Sequence, residues 1–184
     1  MKIVYQGIPG SYSEACAQKN YPGVETIACK TFDECFEKAS KDNNVRALIP
    51  ESNKTTGNIG VEYLIFRYKL NIYAEHFFPI NHHLMAIKNA TINDIKDVYS
   101  HAQALSQSSS FIKKYSLIEN VRADTAGSAK FVSESKSKSN AAIASELSSK
   151  IYDLNILKRN IQDDKDNTTR FILFGKEIFE PEIE

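Results

Sequence analysis

The chain has 184 residues, enough for one domain or two small lobes with a real core. Its composition, 42% hydrophobic and 25% charged, is that of an ordinary globular protein rather than a disordered or fibrous one. Lys plus Arg equals Asp plus Glu at 23 each, so no net basic field recruits nucleic acid or an anionic membrane, and an anionic ligand must be caught by local donors.

In chain order, residues 3–6 read as a strand followed by the turn Gly7-Ile8-Pro9-Gly10. Ser11-Tyr12-Ser13-Glu14 has the form of a capping box opening a helix through about Lys19. Residues 26–29 make a short strand, and Thr31-Phe32-Asp33-Glu34 opens a second capped helix with Phe32, Cys35, Phe36 and Ala39 on one face. A buried strand at 46–50 ends in a polar loop, and a helix over 59–68 follows with Val61, Leu64 and Ile65 as its apolar stripe. Residues 70–87 have β character throughout, broken near Pro79-Ile80-Asn81, which reads as a crossing between lobes. Then come a strand at 98–100, a helix over 102–114, a strand at 121–123, a helix over 126–133, a strand at 141–144, a helix over 145–152 and a closing strand at 170–174. Residues 133–139 form a solvated Ser/Lys loop. No apolar run approaches the roughly 18 residues that span a bilayer, and Met1-Lys2 runs straight into the first strand instead of a signal sequence. Three cysteines, Cys16, Cys29 and Cys35, lack a zinc spacing and read as reduced thiols of a cytoplasmic protein. Strands alternating with helices predict an α/β fold with largely parallel sheets, whose ligand lies at loops beyond the carboxyl ends of strands.

Several such loops are unusually polar. Pro9-Gly10-Ser11-Tyr12-Ser13 sets N–H groups at a helix start, which suits an anion or a plain N-cap. Residues 50–57 are rich in donors for a carboxylate or carbonyl. Residues 100–107 put His101 at a helix start and Gln103 and Gln107 on one helical face. Asp124-Thr125-Ala126-Gly127-Ser128 is another strand-to-helix turn with a hydroxyl cap, and Asn167-Thr168-Thr169-Arg170-Phe171 sets two hydroxyls beside a guanidinium suited to a bidentate grip. No phosphate loop, dinucleotide fingerprint or Cys/His metal constellation occurs, and the adjacent His82-His83 would face opposite ways on a strand. The residues point to a cofactor-free, metal-free protein that holds a small anion among hydroxyls, amides and helix N-termini.

The ordered set of motifs resembles the prephenate dehydratase family over nearly the whole chain. Residues 6–13 are similar to its glycine-proline-x-glycine start, 49–57 to its proline-isoleucine-glutamate-asparagine-serine loop, 100–107 to its histidine-proline-glutamine block, and Asn167-x-Thr169-Arg170-Phe171 to its most specific motif. The resemblance implies a two-lobed, type II periplasmic-binding-protein-like fold with an inter-lobe cleft, one lobe formed by residues 1–78 plus 163–184 and the other by 79–162. It implies conversion of prephenate to phenylpyruvate, water and carbon dioxide in phenylalanine biosynthesis, without a cofactor, in a possible homodimer with no nucleic-acid or membrane partner. Carried over, Thr169 assists departure of the ring hydroxyl, with Asn53 and Gln107 as neutral donors. Ser13, Ser100, Thr125, Arg170 and Phe171 bind substrate, although Arg170 could instead brace its loop as a structural salt bridge. The chain departs from the family at Ser52-Asn53-Lys54, where glutamate-asparagine-serine is usual, at Ala102 and at Ser108. Family members usually continue into an ACT-type regulatory domain. The alternatives are an arogenate dehydratase, a related prephenate-processing enzyme, or a non-catalytic small-anion binding module on the same scaffold.

Overall fold

The structure, a computed structural model, describes residues 1–176. The chain divides into two compact units. Among the described residues, the first comprises residues 1–7, 16–78 and 168–176, and the second comprises residues 8–15 and 79–167. Residues 8–15 and 163–167 thus group with the second unit, not with the first as the sequence suggests. The expected C-terminal part of the first lobe beyond residue 176 lies outside the described residues.

In the first unit the strands are β1 (Lys2–Gln6), β2 (Glu25–Cys29), β3 (Val45–Asn53), β4 (Gly57–Asn58), β5 (Asn71–Pro79) and β11 (Thr168–Gly175). They form one sheet in the order β2-β1-β3-β11-β5, with β4 pairing off β3. Helix α2 (Phe32–Lys41) starts where Thr31 accepts a hydrogen bond from the Glu34 N–H, and it buries Cys35, Phe36 and Ala39, three of the four residues predicted for its core face. Phe36 lies 5.1 Å, centroid to centroid, from Phe174 of β11 and 6.0 Å from Tyr68 of α3 (Glu62–Tyr68). Val4, Ala47, Ile49, Leu64 and Ile172 complete this core.

The second unit carries β6 (His83–Ala86), β7 (Asp97–Ser100), β8 (Ile118–Val121), β9 (Asn140–Ala144) and β10 (Asn155–Lys158), ordered β10-β6-β9-β7-β8. Its helices are α4 (Ala102–Ser106), α5 (Ser109–Lys114), α6 (Thr125–Ser135) and α7 (Glu146–Ile151). Every residue of β6, and all of β9 after Asn140, is buried, as expected of interior strands covered on both faces. Helix α1 (Tyr12–Asn20) follows the loop after β1.

The α/β class holds, but the sheets are mixed rather than largely parallel. β1–β2, β1–β3, β7–β8 and β7–β9 are parallel, whereas β3–β11, β3–β4, β6–β9 and β6–β10 are antiparallel. Alternation of elements along the chain does not reveal which strand a late segment will join, and β11 joins antiparallel to β3. The helix expected over 102–114 is two helices, broken at Gln107 and Ser108. The run Ser106-Gln107-Ser108-Ser109-Ser110 competes with helix through its own hydroxyls. The strand expected at 121–123 lies at 118–121, set by pairing with β7, and β10 had no sequence signal strong enough to mark it.

Candidate functional site

Pairing of β3 with β11 turns the polar loop after residue 50 into strand. Thr169 stands opposite Asn53 and Arg170 opposite Ser52. The register then slips, so that Phe171 stands opposite Pro50 and Glu51 is the extra residue of a bulge. Asn53 and Thr169 are each 6% exposed. Asn53 Oδ1 accepts from the Thr55 N–H at 2.9 Å and from the Thr55 hydroxyl at 2.7 Å. A backbone N–H can only donate, so it fixes which end of the Asn53 amide is oxygen. The amide NH2 therefore faces Thr169, donating to its Oγ1 at 2.8 Å. With its oxygen accepting from Asn53, Thr169 keeps its own proton to offer, and the bond it accepts polarises that proton.

Arg170 is braced. Its Nε donates to Glu75 Oε2 at 2.7 Å, its Nη1 to Glu51 Oε2 at 3.1 Å, and its Nη2 also meets Glu75. The guanidinium thus ties β11 to carboxylates on β3 and β5, and Ser52 Oγ donates to the same Glu51 oxygen at 2.6 Å. Phe171 is 1% exposed and packs edge-to-face on Phe78 at 6.2 Å. Lys54 is exposed, and its backbone N–H donates to the Thr168 carbonyl at 2.9 Å.

The other expected site residues lie in the second unit. Ser13 is buried in the first turn of α1. The helix start before it is not an open anion site: the Glu14 carboxylate accepts from the Gly10 N–H at 2.7 Å, and the Ser11 N–H donates to the Ile8 carbonyl. The cap differs from a regular capping box in that Glu14 reaches Gly10 instead of the Ser11 N–H. Gly10 has φ +92°, and a Cβ there would lie 2.7 Å from Ser148 Oγ and 3.0 Å from Ser148 Cα, so glycine is required. Its carbonyl accepts from the hydroxyls of Ser145 at 2.6 Å and Ser148 at 2.8 Å. Ser100 is wholly buried, and its hydroxyl donates to the Ile143 carbonyl at 2.6 Å. Thr125 is the first residue of α6, but the cap is Asp124, whose carboxylate accepts from the Gly127 N–H; the expected hydroxyl cap is replaced by the stronger acceptor.

Gln107 caps the end of α4 and meets a residue not foreseen as its partner. Its side-chain amide lies 2.8 Å from His82 Nε2, and His82 Nδ1 lies 2.7 Å from the Tyr12 hydroxyl. His82 is 2% exposed, and burial holds its pKa below the ordinary imidazole value. Its neighbour His83 takes a different partner, accepting from the Asn160 N–H through Nδ1 at 3.2 Å. Separations of 25 and 70 positions gave the sequence no means of linking Gln107, His82 and Tyr12. Among the described residues no group of three His, Cys, Asp or Glu side chains could hold a metal ion.

The family model for prephenate dehydratase matches residues 3–178. Among curated proteins, arogenate dehydratase 2 of Petunia hybrida is 39% identical over 182 residues, covering 98% of this chain and 46% of the Petunia protein. Arogenate dehydratase/prephenate dehydratase 2, chloroplastic, of Arabidopsis thaliana is also 39% identical, over 98% of this chain and 48% of its own. The chain therefore spans about half the length of the curated relatives it matches. Among solved structures, GqqA, described as a novel type of quorum quenching acylase, superposes with a TM-score of 0.91 at 31% identity, over 98% of this chain and 66% of its own. The prephenate dehydratase of Arthrobacter aurescens, in complex with L-Phe, gives a TM-score of 0.88 at 25% identity, over 100% of this chain and 63% of its own.

Proposed function

This chain belongs to the prephenate dehydratase family, and on that premise we propose that it converts prephenate to phenylpyruvate, water and carbon dioxide. One observation carries the reading: the buried Asn53 amide donates to Thr169 Oγ1, which leaves the threonine proton for a leaving group. The ring hydroxyl departs as water when a proton reaches its oxygen, the ring carboxylate leaves as carbon dioxide, and the electron pair of the broken C–C bond completes the aromatic ring. Aromatisation supplies the driving force, so the protein has to orient a dianion and assist the hydroxyl. A threonine is too weak an acid to ionise beforehand, and a positioned donor at the departing oxygen is the role it can fill.

In this reading Thr169 is the donor to the ring hydroxyl, Asn53 aims it, and Gln107 also meets the substrate. Ser13 and Thr125 help to place the carboxylates and the carbonyl, whereas Ser100, wholly buried and donating to the Ile143 carbonyl, supports the strand end behind them. Arg170 serves as a brace for Thr169, because two carboxylates already share its guanidinium. Arogenate is the second substrate to test, since the curated relatives at 39% identity carry that activity in their names. The acylase chemistry named for GqqA would need an activated nucleophile. The three thiols are buried, with pKa values raised by burial (Cys16 to about 12), and among the described residues no histidine is hydrogen-bonded to a serine. Three unpaired thiols suit a reducing, cytoplasmic setting, and a homodimer completes the proposal. Incubation of purified protein with prephenate or arogenate, following phenylpyruvate or phenylalanine, tests it. Absence of both products at high enzyme concentration, with tight prephenate binding by calorimetry, would leave a binding module instead.

A further inference from the structure

The second unit holds a cavity of about 530 Å³, walled by α5 with Tyr115 on one side and by residues 158–165 on the other. Its lining is of two kinds. The rings of Phe111 and Tyr115 lie 4.7 Å apart, centroid to centroid, and with Ile161 they supply an apolar wall. Four cations, Lys114, Lys158, Arg159 and Lys165, share the lining with the single carboxylate of Asp163. That carboxylate is already engaged, accepting from the Ser109 hydroxyl at 3.1 Å and from the Ser110 N–H at 3.3 Å. Two of the cations are engaged as well. Lys165 Nζ donates to the carbonyls of Asn160 at 2.7 Å and Gln162 at 3.0 Å, and Arg159 Nη1 lies 3.3 Å from Glu146, which is not part of the lining. Lys114 and Lys158 are exposed and make no ion pair among the described residues. Lys114 Nζ lies 5.7 Å from the Tyr115 ring centroid, so uncompensated positive charge borders the aromatic wall directly.

We propose that this cavity is a binding site for a small aromatic acid, its ring against Phe111 and Tyr115 and its anionic group held by Lys114 and Lys158. Pockets for small molecules run from roughly 300 to 1,000 Å³, so the volume suits such a ligand. An inorganic ion would use the cations and leave the ring wall in water. A neutral aromatic would cover the rings and leave two ammonium groups without a counter-charge. An aromatic body that carries an acid uses both walls at once. The segment opposite α5 is fixed by backbone hydrogen bonds. The Asn160 N–H donates to His83 Nδ1 at 3.2 Å, the Ile161 N–H to the His82 carbonyl at 2.9 Å, and the Asp163 N–H to the Gln107 carbonyl at 2.7 Å. A wall ordered in advance adds no ordering cost to binding. Carboxylate and phosphate share the required chemistry, an anionic group that accepts from ammonium donors.

Amide proton–nitrogen spectra of the 15N-labelled chain at low salt, titrated with phenylacetate, phenyl phosphate and inorganic phosphate, test the site. The expected result is saturable shifts at residues 110–115 and 158–165, with half-saturation at about 1 mM or tighter for at least one of the two aromatic acids. The tighter of the two identifies the acid group. Inorganic phosphate should bind at least about tenfold more weakly. The double variant Lys114→Gln, Lys158→Gln alters two exposed side chains outside any ion pair, so it should fold, and it should weaken the aromatic acids by about tenfold or more. Thr169→Val should leave these shifts as they are, which separates the cavity from the site around Thr169. Absence of saturable shifts at these amides overturns the proposal. So does inorganic phosphate binding as tightly as the aromatic acids, or a double variant that binds them unchanged. None of these spectra depends on turnover, so the outcome stands whether or not the chain acts on prephenate.

Discussion

Asn53→Asp reverses the hydrogen bond between Asn53 and Thr169. The side chains are isosteric, and the introduced carboxylate keeps the acceptor for the Thr55 N–H and hydroxyl. Where NH2 donated to Thr169 at 2.8 Å there is now an oxygen, so the Thr169 hydroxyl rotates to donate inward. For stability, a neutral bond of about 1 kcal/mol is exchanged for a charge-assisted one of roughly 1.5–3 kcal/mol, offset by desolvation of a carboxylate at a site only 6% exposed. The net change at neutral pH is expected to be within about 1 kcal/mol. For catalysis, one aimed donor is lost, which costs about 10²–10³ in kcat, or roughly 2.7–4 kcal/mol of barrier. Stability and turnover should therefore part company. Steady-state kinetics on prephenate with a parallel urea melt measures both. A further sign identifies the cause: once protonated, the introduced carboxyl can again donate to Thr169, so kcat of the variant should rise as pH falls, relative to the unaltered chain. A kcat within about threefold of the original would refute the assignment of Thr169 as proton donor. So would a loss of activity that only tracks a loss of folded protein.

Thr169→Val, which keeps the shape and removes the hydroxyl, should lower kcat by a similar 10²–10³ or so with little change in KM, and an unchanged kcat would take Thr169 away from the chemistry. Arg170→Met removes a brace, so KM for prephenate should stay within about threefold; a much larger rise in KM without loss of folded protein would instead assign the guanidinium to a substrate carboxylate. Ser108 Oγ is buried with no hydrogen-bond partner, and Ser108→Ala should raise stability by about 1 kcal/mol in urea melts, whereas a loss of that size would show that the hydroxyl is satisfied. Burial lowers the pKa of His76, His82 and His83, so below the ordinary value of about 6.5 the unfolded chain binds more protons than the folded one. Stability should therefore fall as pH drops through that value, with a shallower slope in His83→Asn; identical slopes would remove His83 from the account.

The sequence by itself determined the α/β class, most of the helices and strands, the α2 core face and the family. Each of these depends on local signals: caps such as Thr31, apolar spacing such as Cys35-Phe36-Ala39, and short ordered motifs such as Asn167-x-Thr169-Arg170-Phe171. Only the tertiary structure decided what those motif residues touch. That Thr169 accepts from Asn53 depends on β11 pairing antiparallel with β3 across a separation of 116 positions. That Arg170 is shared by Glu51 and Glu75 depends on the bulge at Glu51 and on a neighbouring strand. The link from Gln107 through His82 to Tyr12 joins α4, the residue before β6 and the start of α1. Hydrogen-bond direction is set by which atoms face each other and where a proton is obligatory, and residue order carries neither. The Asn-x-Thr-Arg-Phe segment could thus name the family from its letters, while the direction in which its threonine donates had to come from the register of two strands.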